Sequence, residues 1–273
     1  MKSIIPYIGG KHRMARHIVP HLQRKGVDVL VDVFGGSGAV TMAAAPVFSK
    51  RVYNDLSKDL VNLFTVLRTG SLRPRLFRML KNTPASRIVW EEYGRVWLRG
   101  GFSFESIADP VERAAATFYR HQFAFGGKAR SGGLSVSTGD REGIKEIVRY
   151  RNTLRRLAET ATLWRSTMIE NLDAIDMVET YGNRNGVVLY CDPPYDGTEN
   201  YYANKFAPFQ HVMLVSALQD VKAHAVVSYY DTPLIRSLYL ENRWTWHRIQ
   251  VTKNSSFRQG NKPSVTEVIL VKK

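Results

Sequence analysis

Gly35-Gly36-Ser37-Gly38 constrains this chain more than any other stretch. It follows Val27-Asp28-Val29-Leu30-Val31-Asp32-Val33-Phe34, which has the composition of a buried strand, and precedes a small-residue helix from Ala39 to about Ala45. Strand, glycine loop and helix in that order are the first unit of a doubly wound parallel α/β sheet with a nucleotide-binding crevice. The loop lacks a Gly-Lys-Ser/Thr ending, which argues against ATP or GTP binding. Arg51-Val52-Tyr53-Asn54-Asp55 reads as a second strand ending in an acid. A carboxylate about 20 residues beyond a glycine loop is placed to take the two hydroxyls of a ribose. Asp32 and Asp55 then flank one adenosine-sized cleft, the alternative being that Asp55 caps the helix that starts at Ser57.

A third strand end carries different chemistry. Val187-Val188-Leu189-Tyr190-Cys191 is a buried-strand pattern, and Asp192-Pro193-Pro194-Tyr195 ends it abruptly, because proline supplies no ladder N–H. The result is a rigid tip bearing a carboxylate, backbone carbonyls and an aromatic ring at the carboxyl end of a strand, where open α/β sheets bind ligands. By itself it could be an ordinary turn. Near the start, Tyr7-Ile8-Gly9-Gly10-Lys11 pairs two glycines that allow close backbone approach with a lysine at the mouth of a helix running to about Arg24. His12, His17 and His21 on that helix have no partner at metal-ligand spacing, so no metal is expected. Cys191 is the single cysteine, which excludes an internal disulfide framework and reads as packing.

Charge points to a polyanion. The chain of 273 residues has 39 Lys and Arg against 24 Asp and Glu, a net charge of +15 and a pI of about 10.0. Residues 68–165 hold 19 basic and 9 acidic residues, which is +10 of that +15. Within them the pattern predicts arginine-rich helices over Leu72–Lys81, Arg87–Leu98, Pro110–Phe123 and Glu142–Leu157, the last with an apolar stripe of Ile144, Ile147, Val148, Leu154 and Leu157. A glycine and serine loop from Phe125 to Gly139 interrupts them, either a linker or a hairpin that a bound polyanion would order.

The motifs together resemble the Dam-type, class-alpha DNA adenine N6-methyltransferases, in that family's order and over most of the chain. Tyr7 to Lys11 is similar to its amino-terminal cofactor motif, Asp32 to Val40 to its glycine loop, Asn54-Asp55 to its ribose acid and Asp192-Pro193-Pro194-Tyr195 to its catalytic motif. The spacing of Tyr201, Phe206 and His211, the segment Ser228 to Thr232 and the segment Arg258 to Glu267 also resemble it. Tyr7 stands where the family often has tryptophan, Val33 where it often has proline, and Ala174 follows Asp173 where it has an aromatic ring.

The resemblance implies S-adenosylmethionine as cofactor, on Tyr7, Lys11, Asp32, Phe34, Gly35, Gly36, Ser37, Gly38, Asp55, Asp173 and Asp192. It implies catalysis by Asp192, Pro193, Pro194 and Tyr195 on an adenine flipped out of double-stranded DNA. Residues 1–70 and 163–273 would form a Rossmann-like catalytic domain, and the mostly helical insertion 71–162 the target-recognition domain. Expected DNA contacts are Arg120, Lys128, Arg130, Asn254 and Arg258. GATC-specific relatives carry an Asn-x-Pro-x-Gly-like hairpin where this chain has Ser135-Val136-Ser137-Thr138-Gly139, so a different target is expected. Alternatives are methylation of RNA adenine or a glutamine side chain, and a catalytically inactive DNA-binding relative. No apolar run approaches the ~20 residues of a membrane span. A cytoplasmic monomer without an obligate protein partner is expected.

Overall fold

A computed structural model describes residues 3–7, 9–127, 129, 132–137, 144–195, 206–252 and 264–273. Seven strands form one sheet: β1 (Val29–Asp32), β2 (Lys50–Asn54), β3 (Thr167–Glu170), β4 (Val187–Cys191), β5 (His224–Tyr230), β6 (Trp244–Thr252) and β7 (Ser264–Lys272). Their order is β3-β2-β1-β4-β5-β7-β6, parallel except for β7, which runs antiparallel between β5 and β6. This is the expected doubly wound sheet, closed at one edge by the antiparallel pair β7 and β6. The chain winds outward from β1 on both sides, so the topological switch falls between β1 and β4, and a crevice opens at their carboxyl ends.

Alternation along the strands gives the sheet two apolar faces. Helices α1 (Ala15–Leu22) and α2 (Ala39–Ala43) pack over Leu30, Val188, Tyr190, Val226 and Ile269. Five helices follow in sequence: α3 (Lys58–Arg68), α4 (Arg73–Asn82), α5 (Arg87–Arg99), α6 (Pro110–Phe123) and α7 (Lys145–Arg165). The opposite face, with Val31, Leu189, Cys191, Val227 and Leu270, is covered by α8 (Ala174–Tyr181), α9 (Pro208–Asp220) and α10 (Pro233–Leu238). No helix among the described residues is long and apolar enough to cross a membrane.

Helices α3 to α7 share a core that runs without a break into Tyr53 of β2. Asp109 starts α6 by accepting from the N–H groups of Val111 and Glu112 at 2.9 and 2.8 Å, with Pro110 at the first turn, where its missing N–H costs nothing. Helix α7 departs from the expected Glu142–Leu157. It begins at Lys145 and leaves Ile144 exposed; of the expected stripe Leu157 is buried and Leu154 packs partly buried against the core, and Tyr150, Thr153, Thr160, Ala161 and Trp164 turn inward with them. Threonines tolerate that interior because their hydroxyls donate back to the helix, Thr153 to the Arg149 carbonyl at 2.9 Å and Thr160 to that of Leu157 at 3.0 Å. The helix runs on to Arg165 because Trp164 plugs into the sheet-side core, stacked 4.0 Å from Phe64 and edge-on to Tyr53. The boundary expected at residues 162 and 163 therefore falls inside a helix.

Candidate active site

Four acids stand at or just beyond the carboxyl ends of four neighbouring strands: Asp32 ends β1, Asp55 follows β2, Asp173 lies past β3 and Asp192 follows β4. All four line one cleft with Tyr7, Lys11, Phe34, Gly35, Gly36, Ser37 and Pro194. Gly38 lies outside its wall, as do Pro193 and Tyr195.

The glycine loop is pinned where a side chain could not fit. A β-carbon on Gly35 would stand 2.2 Å from the Tyr53 ring, and Gly36 has φ +50 beneath the Tyr7 ring. Asp55 holds the loop from the other side, accepting from Gly36 N–H through one oxygen and from Ser57 N–H through the other, each at 2.8 Å. Asn54 stitches the strand ends together: its amide donates to the carbonyls of Val33 and Leu172, and its oxygen accepts from Leu172 N–H. Asp173 caps α8 by accepting from Ile175 N–H at 2.9 Å.

Burial makes two of these acids weak. Asp32 is 1% exposed, and burial pushes its carboxyl up to about 7 although Thr41 donates to Oδ2 through its hydroxyl at 2.6 Å and its N–H at 3.2 Å. Its Oδ1 has no hydrogen-bond partner among the described residues. Burial raises Asp55 to about 6, offset in part by the N–H donors of Ser57 and Gly36. A cleft that gathers carboxylates and leaves a buried oxygen unused is suited to a cationic ligand.

At the β4 tip, Lys11 Nζ lies 2.9 Å from Asp192 Oδ1, 3.0 Å from the Gly9 carbonyl and 4.6 Å from the Tyr195 ring centroid. Burial raises the Asp192 pKa while the Lys11 cation lowers it. Tyr195 is buried, with Tyr230 edge-on at 4.5 Å and Tyr229 at 5.6 Å. Glu267, opposite Tyr230 in the ladder, is buried nearby; burial raises its pKa, Lys11 lowers it and Asp192 raises it further. Cys191 is fully buried, and burial pushes its thiol far above the usual range.

Aromatic side chains beyond the strand-end motifs complete the cleft. Phe206 meets Phe34 edge-on at 5.6 Å, so the cleft has an aromatic corner although Ala174 offers no ring. Trp97, Phe102 and Phe104, from α5 and the segment after it, also line the cleft, where arginine-rich sequence gave no reason to place them. Arg120, expected among the DNA contacts, is instead buried, its guanidinium held between Trp90 and Trp97. Lys128, Arg130, Asn254 and Arg258 lie outside the described residues, as does Tyr201. The glycine and serine loop is partly described: Phe125 N–H donates to the Gly133 carbonyl and Ser135 N–H to that of Phe123, while the hydroxyls of Ser135 and Ser137 both donate to Glu146.

Curated relatives are similar in sequence to most or nearly all of the chain. The retron Ec67 DNA adenine methylase of Escherichia coli is 28% identical over 99% of this chain and 91% of its own length. The DNA adenine methylase of Haemophilus influenzae is 23% identical over 99% and 93%, and that of Vibrio cholerae 27% identical over 87% and 84%. The pattern of the D12 class N6 adenine-specific DNA methyltransferases matches residues 7–255, and the chain belongs to that family.

Proposed function

We propose that this chain transfers a methyl group from S-adenosylmethionine to the N6 amine of an adenine flipped out of double-stranded DNA, at a target other than strict GATC. One observation carries the proposal: Asp192, at the rigid tip of β4 and held by Lys11, shares a cleft with the ribose-type acid Asp55. The cofactor fits the donor set. Asp55 would take the ribose hydroxyls, the glycine loop and the Tyr7 to Lys11 segment the amino-acid tail, and the unpartnered Oδ1 of Asp32 its ammonium. Phe34, Phe206 and Asp173 would border the adenine. When bound, the cofactor supplies an electrophilic methyl on a sulfonium centre.

The protein's own work is on the amine. An exocyclic adenine nitrogen is a poor nucleophile because its lone pair is delocalised into the ring. Asp192 and the Pro193 carbonyl would accept its two N–H groups, favour a pyramidal nitrogen and stabilise the positive charge that develops during attack. Tyr195 would pack against the extruded base. Transfer is direct, which agrees with the deeply buried, fully protonated thiol of Cys191.

Residues 71–162 would serve as the target-recognition domain, with Lys128, Arg130, Asn254 and Arg258 as DNA contacts. A loop rich in small residues and poor in the amides that read adenine bidentately supports a target different from GATC. Methylome sequencing of cells expressing the chain is expected to show N6-methyladenine in a motif other than GATC, and modification confined to GATC overturns that specificity. Tritium transfer from labelled cofactor to duplex DNA is expected, with none to RNA or protein; transfer to RNA or protein alone overturns the substrate.

A further inference from the structure

Trp90, Gly94 and Trp97 fall on one face of α5, four and three residues apart. The guanidinium of Arg120, from α6, lies across that face, its central carbon 3.8 Å from the Trp90 ring centroid and 4.9 Å from that of Trp97. Gly94 keeps the trough between the rings open: a β-carbon there would stand 3.3 Å from Nη1 of Arg120. Glycine weakens a helix interior, so helix propensity does not account for it, and the guanidinium does.

This cation is buried without an acid among the described residues. Arg120 is 8% exposed, its Nε donates to the Ala129 carbonyl at 3.1 Å, and among the described residues no carboxylate forms an ion pair with it. Arg113, seven residues earlier in α6, is also largely buried, but it pairs with Asp59 at 2.8 Å. Burial pushes the Arg120 pKa down to about 10, which leaves it charged at neutral pH. Two tryptophan faces offset part of the cost of burying that charge, and an anion is the complement still missing.

The place of Arg120 indicates which anion. It lines the cofactor cleft beside Trp97, Phe102 and His121, and the His121 ring is 5.5 Å from Tyr7, the residue over the glycine loop. Burial lowers His121 to about 4, so it is neutral there, and Lys11 is engaged with Asp192. The acids of the cleft answer the cofactor's cationic groups, while its anion is met by a positive side chain on the Tyr7 side. We propose that Arg120 receives the α-carboxylate of the cofactor's amino-acid tail, an assignment that rests on the cofactor reading above. A duplex backbone does not reach a guanidinium enclosed between two tryptophans, whereas a ligand filling the cleft does.

Calorimetric titration with S-adenosylhomocysteine and with 5′-methylthioadenosine, which lacks the tail, separates the possibilities. Arg120→Met is expected to weaken S-adenosylhomocysteine about tenfold to a hundredfold, the range of a charged hydrogen bond, and 5′-methylthioadenosine less than about twofold. Arg120→Lys should fall between. Equal losses for both ligands, or none for either, overturn the proposal. Where Arg120→Met fails to fold, Gly94→Ala, which crowds Nη1, is expected to weaken the first ligand selectively, and equal effects again overturn it. On the unaltered protein, S-adenosylhomocysteine should bind at least about tenfold more tightly than its decarboxylated analogue; equal affinities refute the assignment. Failure of the unaltered protein to bind either nucleoside would instead refute the cofactor reading.

Discussion

Lys11 Nζ sits 2.9 Å from Asp192 Oδ1 and 4.6 Å from the Tyr195 ring centroid, so one cation addresses both groups proposed to meet the target base. Burial raises the Asp192 pKa and Lys11 pulls it back, which favours the carboxylate form that accepts an N–H. Without the cation the acid titrates higher, and activity that needs the ionised form is lost further up the pH scale. Lys11→Met is expected to lower kcat about a hundredfold or more, a loss typical of removing a group that sets active-site electrostatics. It should also move the acid limb of the kcat profile upward. A pH profile displaced downward or unchanged would contradict this role.

Asp32 sets a pH dependence of its own. In the free protein Asp32, at about 7, must ionise to meet the cofactor's ammonium, and Asp55, at about 6, to accept from both ribose hydroxyls. Affinity for S-adenosylmethionine should therefore rise with pH between about 5.5 and 7.5 and level off above, with net proton release on binding. Calorimetry in buffers of different ionisation enthalpy measures that release, and proton uptake would exclude the scheme.

The same residue opposes function to stability. A carboxyl whose pKa is raised on folding destabilises the folded state once ionised, increasingly as pH climbs from the unfolded value of 3.8 towards about 7. The full penalty above pH 7 is about 4 kcal/mol at most. Asp32→Asn keeps an acceptor for Thr41 and removes the charge. It is expected to raise Tm at pH 8 by several degrees, to lose that advantage near pH 4, and to weaken cofactor binding. Thermal melts at the two pH values decide the first two points, and titration the third.

The strand ends were legible because their chemistry is local. Apolar β-branched runs stop at Asp32, Asn54-Asp55 and Cys191-Asp192, and a parallel sheet brings such ends to one edge whatever lies between them. Lys11 on Asp192 was not legible, since it joins segments 181 residues apart and nothing in either names its partner. Strand β3 was hidden by its brevity and by polar residues at both ends, Thr167 and Glu170. The burial of Arg120 was not legible, because a helical arginine in a basic segment reads as a DNA contact and its burial depends on a trough made by another helix.

That dependence of one segment on another is strongest at Trp164. Its ring is fully buried, stacked on Phe64 of α3 at 4.0 Å and edge-on to Tyr53 of β2 at 5.3 Å, and the edge of the same ring lies where a β-carbon on Gly38 would come within 2.7 Å. Arg51 extends the joint by donating to the Leu163 carbonyl and the Ser166 hydroxyl. One indole thus ties the last of the helices α3 to α7 to the second strand and to the loop that holds the cofactor in our proposal. Trp164→Ala removes those contacts and leaves a cavity, at a cost of about 3–5 kcal/mol. Because Gly38 rests on the ring, the loss should also reach the cofactor cleft. Trp164→Phe, which retains a stacking partner for Phe64, is expected to recover most of the stability. Denaturant unfolding of both variants, with cofactor titration of each, checks the two effects; a destabilised Trp164→Ala with unaltered cofactor affinity would show that the joint holds the helices without shaping the loop.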